Sequence, residues 1–319
     1  MKNILVTGAA GQIGSELVPA LRQRFGNDHV VAAAHHTALP SDIATTGPTT
    51  MVDVTDYKQL EEVIRTFAIK SVFHMSSILS ATAESKRHVA HEVNIDGTYN
   101  ILECAYQNNV QRVIMPSSIA AFGPGSPKDM TPNDTLQKPN TLYGISKVFA
   151  ELMGNYYYGK LGLDVRGLRL PGVISWKTEP TAGTTDYAVE MFYGAIENDY
   201  YECYLRSDTM LPMMYMPDAI KAIIQISQCE INDLKHHADF NVHALSFTPD
   251  DLAKYITRIN PQFRVSYNVD AERQAIADSW PQSLDDSAAR LEWGWQPRFN
   301  METLVKDMYD NLKAKLRRD

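Results

Sequence analysis

The chain is poor in the residues that staple small secreted domains or build metal clusters. Its 319 residues include three cysteines, Cys104, Cys203 and Cys229, far apart and with no C-x-x-C pair. That spacing argues against a disulfide framework and against a structural zinc site, which wants several S or N ligands close together. His35-His36 and His236-His237 are adjacent pairs. Neighbouring residues point in different directions on a helix or strand, so no metal is expected there. Positive charge is scarce too: 30 Lys plus Arg stand against 38 Asp plus Glu, a net charge of −8. An acidic chain without a basic stripe is unsuited to nucleic acid or to an anionic membrane surface. No apolar run approaches the roughly 18 residues of a membrane helix. Asn3-Ile4-Leu5-Val6, after a single lysine, is too short for a signal segment. A soluble, cytoplasmic protein is the expectation. At roughly 150 residues per domain, the length predicts about two lobes.

What is present begins with Lys2-Asn3-Ile4-Leu5-Val6-Thr7, a β-branched run that stops at Gly8 and reads as a buried parallel strand. Gly8-Ala9-Ala10-Gly11-Gln12-Ile13-Gly14 follows, and then Ile13, Leu17, Val18 and Leu21 recur at helical spacing. Strand, glycine loop and helix together form a phosphate-binding pattern. The glycines let the backbone approach a pyrophosphate, and the helix N-terminus supplies N–H groups and partial positive charge. The alternation continues with predicted strands at 29–34, 50–53, 71–75 and 112–115. Helices are predicted at 57–67 and 89–109. The fold class is therefore α/β, a doubly wound parallel sheet with right-handed crossovers, joined to a smaller C-terminal lobe. In such sheets ligands sit beyond the carboxyl ends of the strands. Residues 1–170 form the expected nucleotide-binding domain, rejoined by about 212–245; residues 171–211 and 246–319 form the second lobe.

The segment Thr141-Leu142-Tyr143-Gly144-Ile145-Ser146-Lys147 carries the chemistry. Tyr143 and Lys147 are four apart, hence on one helical face. An ammonium beside a phenol favours the phenolate and lowers its pKa from about 10. A phenol tuned in that way is a general base. Ser118, after the strand at 112–115, places a hydroxyl at the sheet's ligand edge.

The glycine loop, the serine after the fifth strand and Tyr-x-x-x-Lys resemble the extended short-chain dehydrogenase/reductase superfamily, whose members bind NAD(P) in a Rossmann domain. Four further strings narrow the resemblance: Pro116-Ser117-Ser118-Ile119-Ala120, Gly183-Thr184-Thr185-Asp186-Tyr187-Ala188, Leu211 to Met216 and Ile276 to Pro281. These are similar to the short-chain-type L-threonine 3-dehydrogenases, and the likeness runs over essentially the whole chain. It implies metal-independent oxidation of the threonine β-hydroxyl with NAD to 2-amino-3-oxobutanoate, by a cytoplasmic homodimer. It implies Tyr143 as base, Lys147 as its tuning cation and Ser118 as the group holding the reacting oxygen. Gly8, Gly11, Gln12, Ile13 and Gly14 would cradle the pyrophosphate, and Asp53 and Val54 the adenine side. His74, Met75, Ser76 and Asn94 would face the ribose or order the site, with Leu170 and Pro171 at the nicotinamide edge. Ser80, Thr184, Thr185 and Trp280 would line the amino-acid pocket.

Two other readings compete. A nucleotide-sugar epimerase or dehydratase needs a cationic clamp for a diphosphate. From Pro171 to Asn241, however, the basic residues are only Lys177, Arg206, Lys221 and Lys235. A silent NAD-sensing module has no need of the Ser118, Tyr143 and Lys147 set. One departure from the resemblance stands out. The second strand ends in Ala34 and then His35-His36, where NAD-preferring Rossmann proteins carry an acidic residue for the ribose hydroxyls. The expectation is NAD as working cofactor with weakened rejection of NADP, unless Asp42 reaches back.

Overall fold

A computed structural model of the chain describes residues 1–180 and 183–317; Thr181, Ala182, Arg318 and Asp319 lie outside the described residues. The chain opens with β1 (Ile4–Thr7), buried along its whole length, and α1 (Gly14–Phe25), which buries Leu17, Val18 and Leu21. β2 (Val30–Ala34), α2 (Ser41–Thr45), β3 (Thr49–Met51) and α3 (Tyr57–Thr66) complete the first wing. Asp56 caps α3 by accepting from the backbone N–H groups of Lys58 and Gln59.

β4 (Ser71–His74) leads into α4 (Ser80–Ser85) and α5 (Arg87–His91). The helix predicted over 89–109 is interrupted. A π-helical turn, Glu92–Asp96, separates α5 from α6 (Gly97–Gln107). From the first turn of α6, Thr98 Oγ1 donates to the carbonyl of Asn94 inside the π turn at 2.7 Å. Hydrophobic spacing alone does not mark such a turn.

β5 (Arg112–Ile114) and β6 (Ser117–Ser118) precede α7 (Leu142–Leu161), a five-turn helix capped by the Thr141 side chain and ended at Gly162 with φ +72°. β7 (Asp164–Arg166), β8 (Leu168–Leu170) and β9 (Gly172–Ile174) follow almost without loops. The principal sheet is wholly parallel, in the order β3-β2-β1-β4-β5-β7. That order places the direction change, and hence a crevice, between β1 and β4. Gly167 lets β7 bend into β8, because a Cβ there would lie 2.4 Å from the Ala238 carbonyl oxygen.

The remainder adds α8 (Tyr187–Glu197), β10 (Tyr200–Cys203), β11 (Leu211–Tyr215), α9 (Met216–Gln228), β12 (Phe240–Asn241) and β13 (Leu245–Phe247). α10 (Pro249–Ile259), β14 (Arg264–Tyr267), α11 (Ala271–Ser279), α12 (Ser287–Trp293) and α13 (Met301–Leu316) close the chain. β12 pairs with β8 and β8 with β6, while β11 lies between β9 and β13. One apolar core packs β1 and α1 against α9, Trp293 and Trp295. A second fills the other face of the principal sheet. A third unites α8, α10 and α13 with Phe122 and Trp280. No described helix is long and apolar enough to cross a membrane.

Candidate active site

A cleft of about 350 Å³ opens where the carboxyl ends of β1, β4 and β6 meet the segment that leads into α8. The glycine loop forms its outer wall, and this loop cannot carry other residues. Gly8 has φ +64°, and a Cβ on it would lie 2.7 Å from the Ser76 amide nitrogen. At Gly14 a Cβ would meet the Gly8 carbonyl oxygen at 2.1 Å. α1 starts from Ile13 with no side-chain cap, and its first turn is closed by Ser15 N donating to Gly11 O at 2.9 Å and Glu16 N to Ile13 O at 3.2 Å. A close-packed glycine cradle, an uncapped helix start and a parallel switch point fit a dinucleotide. Gly11, Gln12, Ile13 and Gly14 line the cleft, and the Gln12 amide reaches Val173 O at 3.5 Å.

His74, Met75 and Ser76 leave β4 into the same space. His74 is buried, with Nδ1 2.8 Å from Thr7 Oγ1, and Nε2 has no protein partner. Burial, and then the charge of Lys147, drive its imidazole down to about 3, so the ring is neutral. Asn94, in the π turn, accepts from Ile78 N at 2.8 Å and donates to Ile78 O and Ser146 Oγ. It thereby pins the loop after β4 to α7. Gly8 lies beneath the loop, while Asp53 and Val54 sit beyond the cleft, past the end of β3.

Ser118 and Leu170 are partners on the paired strands β6 and β8, so hydroxyl and apolar edge arrive together. Burial pushes the Tyr143 phenol up to about 12, against a smaller opposing pull from the Ser118 side chain, which favours the phenolate. This corrects the lowering expected from sequence. Lys147 lies over the tyrosine ring, 5.3 Å from its centroid, and Nζ donates to the Pro116 carbonyl at 3.1 Å. Burial pulls the lysine itself down to about 8.

The inner wall holds Ser80, Pro171, Thr184, Thr185 and Trp280. Thr184 is 2% exposed, and its hydroxyl has no protein partner. Thr185 packs its methyl on Gly172, where a Cβ would come within 2.7 Å. Sequence reasoning passed over Asp186, the only carboxylate among the described residues lining the cleft, which accepts from Gly183 N at 3.2 Å. Its place directly after the threonine pair was the available signal. Lys147 is the only cation among the described lining residues. No group of three or more His, Cys, Asp or Glu among the described residues is placed to hold a metal.

At the end of β2, Ala34 stands in register with Met51 of β3. His35 stacks on His36 with centroids 3.6 Å apart, and its Nε2 lies 3.5 Å from Asp53 Oδ2. The nearby carboxylate is thus Asp53. Asp42 instead sits in the first turn of α2, where its charge acts on Arg22.

Residues 4–242 match the NAD dependent epimerase/dehydratase family. The chain is 44% identical over 307 residues to the mitochondrial L-threonine 3-dehydrogenase of Bos taurus, spanning 96% of this chain and 82% of that protein. It superposes on the L-threonine dehydrogenase of Clostridium difficile with a TM-score of 0.96 at 44% identity, covering 99% of this chain and 98% of that one. A monomeric L-threonine 3-dehydrogenase of metagenomic origin gives a TM-score of 0.93 at 41% identity, with 98% and 99% covered.

Proposed function

The chain belongs to the NAD-dependent epimerase/dehydratase family, and from that premise we propose that it oxidises the C3 hydroxyl of L-threonine with NAD⁺, giving 2-amino-3-oxobutanoate. The observation that carries the reading is the meeting of Ser118, Tyr143 and Lys147 in the glycine-lined cleft that also holds the unpartnered Thr184 hydroxyl. Bound NAD⁺ supplies the hydride acceptor and a cationic ring. Tyr143 takes the C3 hydroxyl proton as C3 gives up hydride. Ser118 holds the oxygen while it becomes a carbonyl, and Lys147 keeps positive charge beside the phenolate. A zwitterionic substrate needs donors for its carboxylate and an anion for its ammonium. Thr184 and Thr185 serve the first, and Asp186 the second. Ser80 and Trp280 close the pocket around the methyl end.

The cofactor would lie along Gly8, Gly11, Gln12, Ile13 and Gly14, with its adenine towards Asp53 and Val54. His74, Met75, Ser76 and Asn94 flank its ribose, and Leu170 and Pro171 its nicotinamide. Residues 1–170 with about 212–245 would act as the nucleotide-binding domain, and 171–211 with 246–319 as the substrate lobe. With one cation among the described residues of its lining, the cleft is poorly equipped for the diphosphate of a sugar nucleotide.

The test is NADH absorbance with L-threonine, L-serine and UDP-glucose as separate substrates. Turnover with threonine is expected; none, with NAD⁺ or NADP⁺, overturns the reading.

The homodimer expected from the resemblance has a surface to use. Tyr99 and Tyr106 on α6, and Ile145, Leu152 and Tyr156 on α7, are exposed on two adjacent helices. Sedimentation of the wild type against Leu152→Glu/Tyr156→Glu tests it; a wild type that sediments as a monomer refutes it. A cytoplasmic location, inferred from dispersed cysteines and net acidity, is checked by cell fractionation.

A further inference from the structure

Tyr143, Lys147 and Glu151 recur every fourth residue along α7, so phenol, ammonium and carboxylate follow one another on a single face. Glu151 is 2% exposed and both its oxygens are engaged. Oε1 accepts from Ser117 Oγ and from Arg169 Nε at 2.9 Å. Oε2 accepts from Gln137 Nε2 at 2.7 Å and Arg169 Nη2 at 2.8 Å. Arg169 is anchored in turn: Nη1 donates to Asn133 O and Asn241 Oδ1, and the guanidinium lies 4.8 Å from the Phe122 ring centroid.

A buried ion pair gains little stability over an apolar pair of the same shape, because desolvation offsets the attraction. Its position beside the reaction centre supplies another role. Ser117 precedes Ser118, and Pro116 carries the carbonyl that accepts from Lys147. Glu151 and Lys147, one turn apart on the same face of α7, therefore hold the 116–118 segment at two points.

We propose that Glu151 is a positioning residue of the hydride-transfer centre: braced by Arg169, it fixes residues 116–118 and supplies the negative field that keeps Lys147 charged. This rests on the proposed function for the identity of the reaction, but not for the state of Lys147.

The charged and titratable groups around Lys147 are few. Tyr143 and Glu151 share its helix, neutral His74 faces it from β4, and Arg169 stands behind Glu151 on β8. Burial lowers the lysine, and Glu151 opposes that fall. Removing the carboxylate charge lowers Lys147 further. The ammonium is then lost at lower pH. The rate profile loses ground on its alkaline side.

Glu151→Gln keeps the shape and removes the charge. Trace acetylation of Lys147 in the substrate-free protein, followed by mass spectrometry against pH, should show its midpoint fall by about one unit, a typical effect of a nearby opposite charge. The alkaline limb of kcat should move down with it. An unmoved midpoint, with only a lower Tm, would reduce Glu151 to a structural brace and overturn the proposal. Should the single variant fail to fold, Glu151→Gln/Arg169→Gln removes both charges together, and the midpoint should still fall, by less, because the repulsion from Arg169 goes with the carboxylate. Wild type that labels normally but does not oxidise threonine would sink the proposed reaction, while the labelling still decides the role of Glu151.

Discussion

Lys147 sits over the face of the Tyr143 ring, its ammonium 5.3 Å from the ring centroid, and spends a hydrogen bond on the Pro116 carbonyl. The spacing of four that brings the two residues together does not bring charge to the hydroxyl. In the substrate-free protein, burial therefore outweighs the help of Ser118 and leaves the phenol near 12.

Tyr143→Phe should lower kcat by at least about two orders of magnitude, the usual contribution of a positioned acid–base group. In the wild type the cationic ring of bound NAD⁺ should draw the phenol down, so kcat should rise with pH through an apparent value below the roughly 10 of free tyrosine. Retention of most activity by the phenylalanine variant would remove Tyr143 from the base role.

Replacing Thr184 and Thr185 by valine should raise KM for threonine about ten- to a hundredfold, since a hydrogen bond to a charged group contributes roughly 1.5–3 kcal/mol. KM for NAD⁺ should barely change. Equal effects on both constants would place the threonine pair away from the substrate carboxylate.

Ala34→Asp restores a carboxylate at the end of β2, where the wild type offers His35 tied to Asp53. Calorimetric titration should show tighter NAD⁺ and weaker NADP⁺ binding than in the wild type. If the ratio of the two dissociation constants stays put, position 34 does not face the ribose.

His236 links three segments, with Nδ1 2.6 Å from Glu292 and Nε2 3.3 Å from Asp134. Burial disfavours its charge, but hydrogen bonds to the two carboxylates prevail and raise its pKa. A group raised in the folded state adds stability that is full below the unfolded value of about 6.5 and fades as pH climbs through the folded value. His236→Gln should thus lose Tm at pH 6 and approach the wild type as pH climbs through the folded-state value. A Tm deficit that does not vary with pH would show that the imidazole acts by packing alone.

Local signals were the readable ones. β1, the glycine loop and α1 follow from β-branched residues, glycines and a 3.6-residue period within 25 residues, and the strand alternation gave the parallel sheet. The π turn escaped because hydrophobic spacing continues across it. The His35–Asp53 contact depends on the β2–β3 register, which joins residues 18 apart in the chain. Glu151 lay one turn beyond the Tyr143–Lys147 pair, but its partner Arg169 is on a strand that only the fold brings beneath it. The tuning of the phenol was misjudged for a related reason: spacing reports which face a side chain shares, not how deeply it is buried.

The π turn at Glu92–Asp96 has a consequence for how this chain tolerates change in length. A π turn holds one residue more than regular helical hydrogen bonding requires, and such bulges cluster at functional sites. A single-residue deletion inside it would let α5 and α6 fuse into one uninterrupted helix, where the same deletion elsewhere would throw a packed face out of register. The shortened helix would gain regularity and lose the aim of Asn94 at Ile78 and Ser146. The extra residue acts as a local indel that trades helical order for a held loop, and its removal would give a protein that melts later and turns over more slowly.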